Sequence, residues 1–302
     1  MKKVIAVVGP TAVGKTSLGI KVANTYNGEI ISGDSIQVYK ELNIGSAKID
    51  QIEKEAALHH LIDIKDINEN YNVADFQKNA RNLIDEISLN QKLPIIVGGT
   101  GLYVKAVLYD YVFNEEEQTS DPQLEQYSNE QLMNELHRLD PLTAKKIHIN
   151  NRKRLLRAIT MALKGTSRSE VLALQDHQLI YDCLIIGLSI ERSDLYKRID
   201  QRVDDMIQIG LFAEVDNLYH KYPDLFSYQA MQGIGYREWQ AYYLGLMSKD
   251  EVIQEIKKHS RQFAKRQYTW FNNQMDVDWY DINEVDYTDK IMKKVARWLN
   301  NG

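Results

Sequence analysis

Apolar residues in the first third of the chain alternate between two rhythms. Val4-Ile5-Ala6-Val7-Val8 is a short unbroken run rich in β-branched side chains, the pattern of a strand buried on both faces of a parallel sheet. A glycine-containing loop follows, and a helix is predicted over residues 16–26. Glu29-Ile30-Ile31-Ser32 predicts a second strand. Residues 71–88 carry Val73, Phe76, Ala80, Leu83, Ile84 and Ile87 at helical spacing. Pro94-Ile95-Ile96-Val97 predicts another buried strand, closed by Gly98-Gly99-Thr100-Gly101. Strands alternating with helices imply parallel βαβ units.

The rhythm stops after about Val112. Residues 115–140 hold eight acidic side chains and one basic one, Arg138, whereas residues 141–169 hold eight basic side chains and no acidic one. Leu132, Leu136, Leu139, Leu155, Leu156, Ile159 and Leu163 fit helices. Cys183-Leu184-Ile185-Ile186-Gly187-Leu188 restores the buried-strand pattern, and residues 194–222 and 249–271 read as long helices. The expectation is an α/β fold with a central parallel sheet formed by residues 1–114 and 179–302, interrupted by an all-helical insertion at 115–178.

Composition narrows the class. At 302 residues the chain has room for about two domains and buries most of its unfolded surface without covalent staples. It is 44 % hydrophobic and 26 % charged, ordinary for a globular protein. Its single cysteine, Cys183, excludes an internal disulfide framework and a multi-cysteine zinc site, and fits a reducing compartment. A net charge of −5 does not favour nucleic acid globally, so any such role must come from local charge. Met1-Lys2-Lys3 before the first apolar run resembles the start of a secretory signal, but such runs need about 7–15 residues. No stretch approaches the roughly 18 apolar residues of a membrane span. A cytoplasmic protein with no membrane partner is expected.

Gly9-Pro10-Thr11-Ala12-Val13-Gly14-Lys15-Thr16 fits G-x-x-x-x-G-K-[ST] in full, after a strand and opening a helix. The backbone of Gly9, Thr11, Ala12, Val13 and Gly14, running on to Ser17, is expected to turn its N–H groups around phosphate oxygens. The helix N-terminus adds roughly half a positive charge. Lys15 reaches the terminal phosphate and the Thr16 hydroxyl is placed to hold Mg²⁺. The loop specifies phosphate, not ATP. A motor or switch ATPase would also end a strand in a metal-binding aspartate, and here the strand at 94–97 ends in Gly98-Gly99-Thr100. Asp34 stands at the end of the other strand, where α/β sheets place ligands. Spacing alone leaves it as a general base or as a turn aspartate. A small-molecule or nucleotide kinase and a non-catalytic RNA-binding module remain open on these residues.

Two basic clusters stand out against the acidic total: Arg152, Lys153, Arg154 and Arg157, and Lys257, Lys258, Arg261, Lys265 and Arg266, the latter followed by Tyr268, Trp270 and Phe271. Each alone reads as a solvated helix face; together they suggest a local footprint for an anionic polymer. The aromatics read as core. His59, His60 and His148 lack the carboxylate or cysteine spacing of a metal site and are expected to be structural.

The phosphate loop, Asp34-Ser35-Ile36-Gln37-Val38-Tyr39, Ile44-Gly45-Ser46-Ala47-Lys48, His59-His60-Leu61-Ile62-Asp63, Gly98-Gly99-Thr100-Gly101-Leu102-Tyr103, Ile147-His148-Ile149-Asn150-Asn151-Arg152-Lys153-Arg154, Gly233-Ile234-Gly235-Tyr236-Arg237 and Lys265-Arg266-Gln267-Tyr268-Thr269-Trp270-Phe271 occur in that order. This ordered set resembles the bacterial tRNA dimethylallyltransferases and covers nearly the whole chain. The resemblance implies a P-loop NTPase-like core and transfer of a dimethylallyl group from dimethylallyl diphosphate to N6 of the adenine on the 3′ side of the anticodon. It implies Asp34 as the base that takes the amine proton, Thr100 near the bridging oxygen or amine, and Arg237 as a diphosphate clamp. Ser35, Ile36 and Gln37 would read the extruded base, and Lys153, Arg154 and Arg157 would hold the tRNA anticodon stem-loop. Mg²⁺ is the implied metal, and a monomer is expected.

Overall fold

A computed structural model describes residues 1–111, 113, 123–165, 167, 169 and 178–301. The first residues of the expected insertion, 115–122, and residues 170–177 near its end lie outside the described residues. Two compact units form, Met1–Tyr109 with Leu179–Gly302, and Asp110–Gln178. The second starts ahead of the shift in charge pattern, because Tyr109 bridges Leu179 and closes the first unit before the chain leaves it.

The first unit is built on six parallel strands, β1 (Lys3–Val8), β2 (Gly28–Ser32), β3 (His59–His60), β4 (Leu93–Gly98), β5 (Asp182–Ser189) and β6 (Asp278–Asp281). Their order in the sheet is β3-β2-β4-β1-β5-β6. Strand β1 is central and its apolar run is wholly buried. Alternation explains why it must be apolar throughout: Val4, Ala6 and Val8 join a core layer with Phe76 and Ile84, while Ile5 and Val7 join the opposite layer with Leu18 and Val22. Helices α1 (Lys15–Thr25), α2 (Gln51–Ala56), α3 (Val73–Leu89) and α4 (Gly101–Leu108) follow β1 to β4 in turn. Helix α3 starts where Asn72 and Asp75 cap each other's backbone amides. This is the P-loop NTPase-like core: a parallel sheet with its glycine-rich loop between β1 and α1. All six strands run the same way, so the loops after β1, β2 and β4 meet at one rim, where such sheets bind ligands.

The second unit holds α5 (Asn129–Leu139), α6 (Pro141–Ala144) and α7 (Arg152–Leu163), packed through Leu132, Leu136, Ala144, Leu155, Leu156 and Ile159. Returning to the first unit, the helix expected over 194–222 is two helices, α8 (Arg192–Gln208) and α9 (Leu211–Lys221). Gly210 separates them at φ 110, a left-handed conformation that ends a helix and that glycine adopts without a Cβ clash. Apolar spacing runs on across this break, so periodicity alone does not reveal it. Helices α10 (Trp239–Tyr243), α11 (Lys249–Gln274) and α12 (Tyr287–Asn300) complete the unit.

Candidate active site

The loops at the carboxyl rim of the sheet enclose a cavity of about 720 Å³ within the first unit. Thr11, Ala12, Gly14, Lys15, Thr16 and Ser17 line one side of it, and Asp34, Ser35, Ile36, Gln37, Thr100 and Arg237 also reach it. Gly9 and Val13 do not line it. The Val13 side chain is buried in the core, so its contribution is limited to backbone. Lys153, Arg154 and Arg157 stand exposed on α7 of the other unit, with no side-chain partner among the described residues.

The phosphate loop takes its shape from left-handed backbone at Ala12 (φ 66) and Gly14 (φ 86), a geometry that curls successive amides toward a common centre. Gly14 caps α1 without a side-chain acceptor, which leaves the helix's first N–H groups for a ligand. One donor counted in the sequence reading is already in use. Gln267, buried on α11, accepts from the Thr11 N–H at 3.0 Å and donates Nε2 to the Gly99 carbonyl at 3.0 Å. This amide ties the phosphate loop to the loop carrying Thr100. The close approach requires glycine at 99, where a Cβ would stand 2.2 Å from Gln267 Nε2.

Lys15 donates Nζ to the Pro10 carbonyl at 2.5 Å and has no carboxylate partner among the described residues. Arg202 on α8, half-buried, donates Nη1 to Thr11 Oγ1 at 3.2 Å and likewise has no ion-pair partner among them. Burial pulls the Lys15 ammonium down from the usual lysine range to about 7, Arg202 adds to the shift, and Asp34 opposes it. Two partly enclosed cations with the Asp34 carboxylate nearby but no direct ion-pair partner are costly unless an anionic ligand completes them. Sequence reasoning missed Arg202. Its signal was a cation on an apolar stripe: Leu195, Ile199 and Val203 are buried on α8, and Arg202 falls three residues after Ile199.

An anionic ligand such as diphosphate entering the cavity would restore the charge on Lys15. Binding above about pH 7 must then take up a proton, because the free protein increasingly holds Lys15 neutral while the complex holds it charged. Affinity for inorganic diphosphate is expected to be insensitive to Lys15 below about pH 7 and to fall by up to about tenfold per pH unit above it. Calorimetry at about pH 8 in two buffers of different ionisation enthalpy, run on the wild-type chain and on Lys15→Met so that the protons of the diphosphate itself cancel, checks this, and equal proton uptake by the two proteins would refute it.

Asp34, also on the cavity wall, behaves partly as a turn residue. Its Oδ1 accepts from the N–H groups of Ile36 and Gln37 at 2.8 and 3.3 Å, while Oδ2 has no partner among the described residues. One oxygen thus fixes the loop and the other is left for chemistry. Thr100 occupies the N-cap position of α4, but its hydroxyl makes no capping bond. The Gln37 amide is already engaged: Nε2 donates to the Ser46 and Ala47 carbonyls, and Oε1 accepts from Ser32. Gln37 therefore braces the wall instead of presenting a free edge. Arg237 donates Nε to Glu238 Oε1 at 2.9 Å and is two-fifths exposed, so its charge is partly neutralised in a way that Arg202's is not.

The basic clusters divide. Arg152 is structural, donating to the Tyr127 and Glu125 carbonyls at 2.7 Å each. Of the second cluster, Lys257 pairs with Asp204 at 2.6 Å, Lys258 with Glu255 at 2.8 Å, and Arg261 with Asp200. The expected footprint for an anionic polymer on α11 therefore shrinks to Lys265 and Arg266: the helix α8 supplies carboxylates to Lys257 and Arg261, and Glu255 on α11 itself supplies the one for Lys258. Arg266 stands on the cavity rim. His60 pairs with Glu29 at 2.7 Å and His59 donates to the Ala57 carbonyl at 2.7 Å. The described residues contain no cluster of three metal-ligating side chains and no helix long and apolar enough to cross a membrane.

The family model described as IPP transferase matches residues 37–274. A tRNA dimethylallyltransferase from Anoxybacillus flavithermus is 46 % identical over 99 % of this chain and 96 % of its own length. A solved tRNA isopentenylpyrophosphate transferase from Bacillus halodurans is 41 % identical, with a TM-score of 0.75 over 99 % of this chain and 97 % of its own. A eukaryotic dimethylallyltransferase acting on tRNA is 30 % identical and superposes with a TM-score of 0.84 over 98 % of this chain and 78 % of its own.

Proposed function

The chain belongs to the IPP transferase family, and we propose on that premise that it transfers the dimethylallyl group of dimethylallyl diphosphate to N6 of a tRNA adenine, the one on the 3′ side of the anticodon. The observation that carries the reading is the pair of cations without an ion-pair partner, Lys15 and Arg202, lining one cavity together with a carboxylate that has a free oxygen, Asp34. A leaving diphosphate and a proton-losing amine need these two kinds of group on opposite sides of the reacting carbon.

In the reaction, the C1–O bond of the allyl diphosphate breaks, the adenine N6 lone pair forms the new bond to C1, and diphosphate departs with the bonding electrons. Lys15, Arg202 and the free amides at the start of α1 stabilise the charge that grows on the diphosphate. Asp34 Oδ2 takes the proton that N6 loses. The unengaged hydroxyl of Thr100 hydrogen-bonds near the bridging oxygen or the amine. Arg237 adds a second, weaker guanidinium contact. Ser35 and Ile36 meet the extruded base, with Gln37 holding the wall behind it. Loop adenines cost a few kcal/mol to unstack, less than duplex bases. Lys153, Arg154 and Arg157 supply charge for the anticodon stem-loop.

The donor set fits Mg²⁺ held jointly with a diphosphate: the Thr16 hydroxyl has no hydrogen-bond partner among the described residues, and Mg²⁺ favours substrate phosphates over an all-protein cage. When bound, the ion would neutralise diphosphate charge. We place the protein in the cytoplasm as a monomer.

Relatives of this kind support prenyl transfer and not the phosphoryl transfer of a kinase. The direct test incubates the protein with bulk tRNA and dimethylallyl diphosphate and analyses the nucleosides by mass spectrometry. N6-dimethylallyladenosine is the expected product. Its absence, with phosphate transfer from labelled ATP instead, would reverse the assignment.

A further inference from the structure

Glu214 on α9 makes no contact with the phosphate loop, yet its carboxylate collects four donors. Oε2 accepts from the N–H groups of Asn43 and Ile44 at 3.0 and 2.8 Å, and Oε1 accepts from the Gly45 N–H at 3.2 Å and the Tyr236 hydroxyl at 2.7 Å. The same tyrosine oxygen accepts from the Ser46 N–H at 3.1 Å. Tyr236 is fully buried, and its ring lies so close to Gly45 that a Cβ there would come within 2.6 Å of it. Four donors converging on one point can be satisfied by a carboxylate, which only accepts and offers two oxygens.

The segment held in this way is cavity wall. Gly45, Ser46 and Ala47 line the cavity, and the carbonyls of Ser46 and Ala47 receive Gln37 Nε2. Gln37 is tied in turn to Asp34, whose Oδ1 accepts from its N–H. Arg237, next in sequence to Tyr236, reaches the same cavity. A chain of hydrogen bonds thus runs from Glu214 through residues 43–47 to Gln37 and the Asp34 loop, and bypasses Lys15, Arg202 and the phosphate loop.

We propose that Glu214 and Tyr236 are positioning residues for the acceptor adenine: they hold the 43–47 wall and, through Gln37, the loop of the base that takes the amine proton. The inference rests on the reading that the Asp34 side of the cavity receives the base. A loop of unpaired amides without this anchor would be free to shift, and a misplacement of about 1 Å costs roughly a hundredfold in rate.

Steady-state transfer by the full chain with Glu214→Gln, Tyr236→Phe and both together, alongside calorimetric affinity for inorganic diphosphate, tests this. Glu214→Gln turns one acceptor oxygen into an NH₂ facing donors, whereas Tyr236→Phe removes one hydroxyl without adding a donor, so the second variant carries the test should the first fail to fold. The expected result is a loss of about ten- to a hundredfold in kcat/KM for tRNA. Diphosphate affinity should stay within about twofold, and the double variant should be no worse than the poorer single one, as members of one unit behave. Unchanged kcat/KM for tRNA, or diphosphate affinity falling in parallel with it, would overturn the proposal. Failure of the wild-type protein to prenylate tRNA while binding diphosphate normally would instead overturn the reading beneath it.

Discussion

Asp34→Asn is expected to lower prenyl transfer about 10²–10⁴-fold, the range for loss of a positioned general base, with tRNA affinity unchanged. The choice of asparagine follows from the two roles found for this side chain. Its Oδ1 accepts from the N–H groups of Ile36 and Gln37, and an asparagine Oδ1 accepts the same bonds. The substitution keeps the turn and removes only the ability of Oδ2 to take a proton. Asp34→Ala would remove both, and a loss in that variant could be assigned to either. Single-turnover transfer measured beside tRNA affinity separates the outcomes. A loss under about threefold with Asp34→Asn would remove Asp34 as the base, and a loss of tRNA affinity equal to the loss of rate would make it a structural residue.

Lys15→Ala and Arg202→Gln are each expected to reduce turnover about 10²–10³-fold, the usual consequence of removing one preorganised donor from a site of charge development. The two side chains share the burden of one anion, so the double variant should lose less than the product of the single losses. Glutamine at 202 keeps a donor for Thr11 Oγ1 and removes the charge, which directs the effect to the diphosphate and away from the loop's fold. The check is the rate with saturating allyl diphosphate together with affinity for inorganic diphosphate. Arg237→Gln provides the contrast. Its guanidinium is already paired with Glu238 and partly exposed, so its loss should cost less than that of Arg202. Equal or larger losses at Arg237 would reverse the ranking that the geometry supports.

Much of this architecture can be read from the chain. The runs at 4–8, 94–97 and 183–188 are apolar on both faces, as strands of a parallel sheet covered by helices are, and Ile30 and Ile31 do the same at the centre of 29–32. The structure widens each strand by one or two residues at its ends, and the sequence order of phosphate loop, Asp34 and Thr100 already places all three after strands. The motifs of the family extend that reading to residues such as Arg237, for which no local pattern suggests a role. The readings that needed revision share one feature: each depends on a partner that the pattern around the residue does not reveal. Lys257 and Arg261 look like free cations until α8 brings Asp204 and Asp200 against them. Gln37 looks like a reader of bases until the carbonyls of Ser46 and Ala47 occupy its amide.

Period, spacing and turn chemistry act over a few residues, and so the strands, the phosphate loop and the chemistry they imply are written into short stretches of this chain. Arg202 beside Thr11, Gln267 across to Gly99 and Glu214 under residues 43–45 are contacts between segments well over a hundred residues apart. No local pattern encodes such pairs. They exist because burying the helices against the sheet brings polar groups together in an interior where each must find a partner, and the fold alone selects which partner that is.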